Sequence, residues 1–338
     1  GGIPTALCTM LSHVIRSEGR SMHASAGLML GGVLNIILDP VFMFVILPKG
    51  SEVIGAAVAT SLSNVIALIY YTVVIVRLRE RAVTAISCRI RREMFDKSIM
   101  ADVARTGLPA CVMTLFENIS YAVLENLVST VDAVAALAGL GVAKKINMLA
   151  HCIVRGMSQG VLPLIGFNYA AKNYRRMKQS ILYSGAMSIM MAMLCMAVSL
   201  ILNRELVSIF IQDDNLESLA SGARFLRILC LGGPFSACAY AIISFFQATG
   251  KGMRSFLLAI LRKGILDIPM MFVLNMLIPV NGIVMATPIT DVICCIVSIV
   301  LFVSFLGKHK EMDAKNEDKA PAPKEDGFIS PQLAEEGV

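Results

Sequence analysis

The chain has 338 residues, of which 56% are hydrophobic and only 16% charged. That balance excludes an ordinary soluble domain and points to a polytopic membrane protein. The net charge of +6 does not call for nucleic acid, because the basic residues cluster in alternate connections between apolar runs rather than on one face.

In chain order, Ile3 to Ile15 is an apolar run of about half a span, and eight longer runs follow. They are Ala24 to Leu47, Val53 to Val76, Gly107 to Val131, Ala133 to Phe167, Ser180 to Leu202, Leu219 to Ala248, Ser255 to Ile278 and Gly282 to Leu306. Each is predicted to be a membrane-spanning helix. Arg16 and Arg20 precede the first full span, eight basic residues from Arg77 to Arg105 fill the longest connection, and further clusters lie at Lys172 to Lys178 and at Lys251 and Arg254. The positive-inside rule makes these connections cytoplasmic, and every span then alternates correctly. From Lys308 onward the tail is charged and contains proline, so 308–338 is expected to be a disordered cytoplasmic end. The nine cysteines have no metal-ligand spacing and read as small core residues. Without HExxH, GxSxG or a phosphate loop, enzymatic chemistry of the soluble type has no support and no cofactor is expected.

Self-comparison gives a parallel repeat. Gly1-Gly2 matches Gly232-Gly233 and GRSM at 19–22 matches GKGM at 250–253, both at an offset of 231. Pro40 then falls on Pro269 and GAAVAT at 55–60 on GIVMAT at 282–287, so Thr60 aligns with Thr287 and Asn64 with Asp291. Parallel repeats are one of the transporter architectures. The second copy runs from about Asp102 to Leu306 with six spans, whereas the first shows two spans and the end of a third. The expectation is that roughly 130 residues precede Gly1 in the complete protein, by the same reckoning of spans per copy. The predicted organisation is 1–94 as the end of a first lobe with its connection, 95–307 as a complete second six-helix lobe, and 308–338 as the tail.

The motifs LNIILDP (34–40), GAAVAT (55–60), GLPACVMTLFE (107–117), GMSQGVLPLIGFNYAAKNYRRMK (156–178), FFQATGKG (245–252) and GIVMATPITD (282–291) resemble the multidrug and toxic compound extrusion (MATE) family. The resemblance covers about Gly1 to Leu306 and implies an all-α integral membrane fold of two six-helix lobes. It also implies antiport of organic, often cationic compounds against Na+ or H+, by alternating access in the plasma membrane, with small-molecule substrates and a monomeric state. A lipid-linked oligosaccharide flippase of the same fold and a non-transporting fragment are the alternatives.

Buried polar residues supply the candidate sites. Asp39 sits ten residues from Lys49, roughly 15 Å into an otherwise uncharged run, where a carboxylate costs about 2.5–3.5 kcal/mol. Asn35 and Asp39 share one helix face at i, i+4. The resemblance makes them a cation site, with Thr60 a further oxygen, while the structural reading is a carboxylate serving the kink at Pro40. Glu117, also deep, matches the family's acid at the start of the second lobe, where it would couple a cation or proton or simply hold the core. Tyr121 and Glu125 continue its face at i+4 and i+8 as cavity candidates. Asp291 is a cavity or ion candidate. Asp267 is either a cavity residue or the partner of Lys263 at i, i+4, the structural reading being favoured. No metal beyond Na+ at Asn35 and Asp39 is expected. The 21 methionines suit an adaptable cavity, but membrane-core packing is the favoured reading.

Overall fold

The computed structural model describes residues 2–48, 50–80, 96–131, 134–211 and 216–317. All regular structure among them is helical. Three helices come first: α1 (Gly2–Ser17), α2 (Ser21–Pro40), which runs into a π-helical turn at Val41–Ile46, and α3 (Glu52–Glu80). They pack mainly on one another around Cys8, Ile15, Ala67, Tyr71 and Ile75. Tyr71 donates from its hydroxyl to the Ala24 carbonyl at 2.6 Å and tethers α3 to α2. Gly55 lets the start of α3 close on the π turn, since a Cβ there would lie 2.9 Å from the Phe42 carbonyl oxygen.

The remaining helices are α4 (Lys97–Val131), α5 (Val134–Ala170), α6 (Tyr174–Ile201), the short α7 (Asn203–Ser208), α8 (Leu216–Cys230), α9 (Gly233–Ala248), α10 (Gly252–Ile260), α11 (Asp267–Leu277) and α12 (Asn281–Glu317). A second π-helical segment, Leu261–Leu266, joins α10 to α11 without a break. The two larger apolar clusters of this bundle lie around Leu124, Phe225 and Ile283 and around Phe245, Phe246, Phe302 and Phe305.

Among the described residues, five helices are long and apolar enough to cross a membrane: Ser21–Ile46, Glu52–Glu80, Ala136–Ala170, Tyr174–Ile201 and Asn281–Gly307. The run expected as one span from Leu219 to Ala248 is instead a bent pair, α8 and α9, meeting at 46°. Gly232 and Pro234 lie at the bend, where the fixed proline ring favours a fresh helix start. The two other expected spans are covered by α4 and by α10 with α11. These continuous helices carry Glu117 and Glu125, or Arg262, Lys263 and Asp267. Residues 308–317 prolong α12 rather than leaving the helix, because KHKEMDAKNE contains good helix formers, an i, i+4 Glu311/Lys315 spacing and no proline. Residues 318–338, and the expected domain boundary at 94/95, lie outside the described residues.

α1 and α9 are both 16 residues long and start 231 positions apart, as do α2 and α10. The turns after α1 and α9 are the same motif. Gly19 (φ 82°) and Gly250 (φ 70°) take the left-handed conformation that favours glycine. Behind them Arg20 N donates to Ile15 O, and Lys251 N to Phe246 O, closing the same six-residue helix cap.

Candidate functional site

The charged interior of the bundle is built where α4, α5, α9, α11 and α12 meet the π segment. Arg262 and Lys263 are adjacent in sequence, and on a regular helix they would diverge by 100°. The wider π turn narrows that angle, and both side chains are buried. Arg262 Nε donates to Asp291 Oδ1 at 2.6 Å, and Lys263 Nζ to Asp267 Oδ2 at 3.0 Å. Asp267, fully buried, also accepts from Ser120 Oγ at 2.6 Å and from the Thr287 and Thr290 hydroxyls at 3.2 Å each. Five side chains from three elements thus satisfy one carboxylate pair, which is what a charge in hydrocarbon requires.

Towards the surface of the bundle the pairing loosens. Arg155 Nη2 reaches Glu117 at 2.8 and 3.1 Å and the Tyr240 hydroxyl at 2.8 Å, and Tyr240 in turn donates to Glu117. The Arg155 and Arg262 guanidiniums lie 5.1 and 4.6 Å from the Tyr240 ring centre, within cation–π range. Lys144 pairs with Glu125 at 2.6 Å and lies 4.3 Å above the Tyr121 ring. The Arg155 side chain is 45% exposed and that of Glu125 52%, against 4% for Arg262 and 1% for Asp291. Tyr121, Lys144, His151, Tyr240, Lys263 and Thr287 are among the residues around a cavity of about 20 Å³. That is room for a water, not for a drug-sized ligand of some 300 Å³ or more.

The structure therefore gathers Glu117, Tyr121, Glu125, Asp267 and Asp291 into one network. Asn35, Asp39 and Thr60 lie apart from it on α2 and α3. Asn35 and Asp39 are half-buried and Thr60 is exposed. Among the described residues no hydrogen bond joins these three, and Asp39 Oδ1 is buried with no hydrogen-bond partner. Nearby, Asn64 Nδ2 donates to the Thr60 carbonyl at 2.9 Å.

Sequence reasoning missed Arg155, Arg262, Tyr240, Ser120 and Thr290. Two cations side by side in an apolar run were the available signal for Arg262, since they cannot both leave a membrane core. Gly232 was a landmark of the repeat but not of the site. A Cβ there would lie 2.9 Å from Asp291 Oδ2, so the bend between α8 and α9 is pressed onto the Arg262–Asp291 pair.

A helical bundle with its buried charges paired inside apolar helices fits an integral membrane protein. A family model described as MatE matches residues 109–273. "Multidrug export protein MepA" of Staphylococcus saprophyticus is 28% identical over 292 residues, covering 86% of this chain and 62% of that protein. The Staphylococcus haemolyticus protein of the same description is 26% identical over 295 residues, covering 87% and 63%. The chain thus spans less than two thirds of these curated relatives. Among solved structures, a MATE protein in complex with MaL6 superposes with a TM-score of 0.83 at 21% identity, covering 92% of this chain and 68% of that one. A MATE family multidrug resistance transporter in an outward-facing conformation superposes at 0.80 and 22%, covering 90% and 66%. The chain is thus similar to MATE proteins in sequence and in fold.

Proposed function

We propose that the protein exports organic, cationic drug-like compounds in exchange for Na+ or H+, by alternating access of two lobes in the plasma membrane, with its C-terminal tail cytoplasmic. The MepA relatives, described as multidrug exporters, support the substrate class. One observation carries the coupling. Asp39 Oδ1 is buried without a partner, whereas Glu117, Glu125, Asp267 and Asp291 each have a cation at 2.6–3.0 Å. A carboxylate left unpaired in an apolar run is the group that gains most from taking up a cation or a proton. In this reading Asn35 and Thr60 supply neighbouring oxygens. Glu117 is a second exchangeable acid, available only when Arg155 swings away. Tyr121 and Glu125 face the compound, and Asp267 and Asp291 are framework.

The flippase reading needs a surplus of cations for a polyanionic lipid. The paired network offers none, with four carboxylates against four basic groups.

The test is Asp39→Asn in the protein expressed from its complete reading frame. It keeps shape and most hydrogen bonds, so cation-driven efflux should vanish at an unchanged amount in the membrane. Full efflux by a well-expressed variant would overturn the proposal. Imposing Na+ and pH gradients separately assigns the ion.

A further inference from the structure

The repeat places a second version of the Asn35/Asp39 constellation inside the bundle, and it is filled differently. Leu38-Asp39-Pro40 stands against Leu266-Asp267-Ile268-Pro269, with Ile268 the one extra residue. The offset falls from 231 at the starts of α2 and α10 to 228 at the aspartates, and each copy has a π turn where its register shifts: Val41–Ile46 after Asp39 and Leu261–Leu266 before Asp267. A π turn is what a single inserted residue produces in a helix. With the aspartates matched, Asn35 falls on Lys263, both four residues before the aspartate. Thr60 falls on Thr287, and the Thr287 hydroxyl lies 3.2 Å from Asp267 Oδ1.

We propose that the Asp267 constellation is an alkali-cation site occupied permanently by the chain's own Lys263 ammonium, so that the bundle takes up no exchangeable alkali cation there. The oxygen set is that of a hard-cation site: one carboxylate and the hydroxyls of Ser120, Thr287 and Thr290, all buried. Lys263 Nζ lies 3.0 Å from Asp267 Oδ2 at the end of a buried stem. Where the first copy has an amide beside its carboxylate, the second has a tethered charge. An ammonium is a compact point charge with three donors, so it can stand in for a monovalent ion that a neutral Asn35 leaves room for. The comparison rests on reading Asn35, Asp39 and Thr60 as a cation site.

The experiment counts bound 22Na+ per chain on the purified full reading frame, with melting curves in NaCl and in choline chloride. Lys263→Asn should bind one Na+ more than the wild type, and its melting temperature should rise in NaCl relative to choline. The extra ion should disappear in Lys263→Asn/Asp267→Asn, which has no net change in charge and should bind as many ions as the wild type. The inference is overturned by no gain in Lys263→Asn, or by loss of a wild-type ion in the doubly neutral variant. It is equally overturned if Lys263→Asn fails to fold in NaCl while the double variant folds. Asp39→Asn reads the other site by itself: if it leaves wild-type binding intact, the Asp39 reading fails, whatever Lys263→Asn does.

Discussion

Asp39 on α2 and Asp291 on α12 are both carboxylates in apolar helices, and their surroundings could hardly differ more. Asp291 has Arg262 at 2.6 Å and is closed over by Gly232. Asp39 is half-buried and leaves one oxygen without a partner. The cost of placing a charge in hydrocarbon is met inside the protein in the first case and left open in the second. A paired carboxylate fixes structure, because its partner and neighbours are matched to one arrangement. An unpaired one is poised to respond, because uptake of an ion or proton changes its energy most.

Three substitutions probe that contrast, in order of expected effect. Arg262→Met should be the most damaging, because it strands Asp291 almost fully buried. Losing one member of such a pair costs about 3–5 kcal/mol, so monodisperse yield and thermal midpoint should both fall sharply. Arg262→Met/Asp291→Leu should recover much of that loss, since apolar replacement of a whole buried pair is often neutral. Asp39→Asn should show no such fall, as Asp39 has no ion pair among the described residues. If Asp39→Asn proves as destabilising as Arg262→Met, the two carboxylates are alike and the contrast is lost.

Tyr240→Phe comes next. It removes a hydroxyl that accepts from Arg155 and donates to Glu117 but keeps the ring near both guanidiniums. Hydrogen bonds to charged groups are worth about 1.5–3 kcal/mol, so a moderate fall in thermal midpoint is expected, with Arg155 still on Glu117. A change as large as that of Arg262→Met would mean that Tyr240, not the buried pairs, organises the interior.

How much of this was legible in the sequence depended on the kind of signal. The helices were legible because a run of 20 or more apolar residues has few alternatives in lipid. The matched turns at Gly19 and Gly250 were legible as the GRSM and GKGM motifs. The bend at Gly232 was not, because a glycine in an apolar run carries no sign of what will press against it. Lys263 and Asp267 could be paired from their i, i+4 spacing, whereas Arg262 with Asp291 and Arg155 with Glu117 are contacts between distant segments. No local pattern encodes those contacts, and the π turn that turns Arg262 inward has no sequence signature of its own. The extension of α12 through 308–317 follows from helix propensity and not from an apolar run.

The smallest effect is expected at the edge of the network, and it bears on whether Glu125 works on substrate. Glu125 pairs with Lys144 at 2.6 Å, but its side chain is 52% exposed. Exposed pairs contribute about 0–1 kcal/mol and are screened by salt. Glu125→Gln should therefore move the thermal midpoint by little, and by less still at high salt. Lys144 keeps the Tyr121 ring at 4.3 Å as a second partner, so its ammonium is not stranded. With stability nearly untouched, any loss of efflux must come from contact with the transported compound or from its path. A marked fall in efflux, strongest for cationic compounds, would set Glu125 beside Tyr121 on the substrate surface. Unchanged efflux across cationic and neutral compounds would reduce the Lys144–Glu125 pair to a solvated edge of the framework that Arg262 and Asp291 anchor.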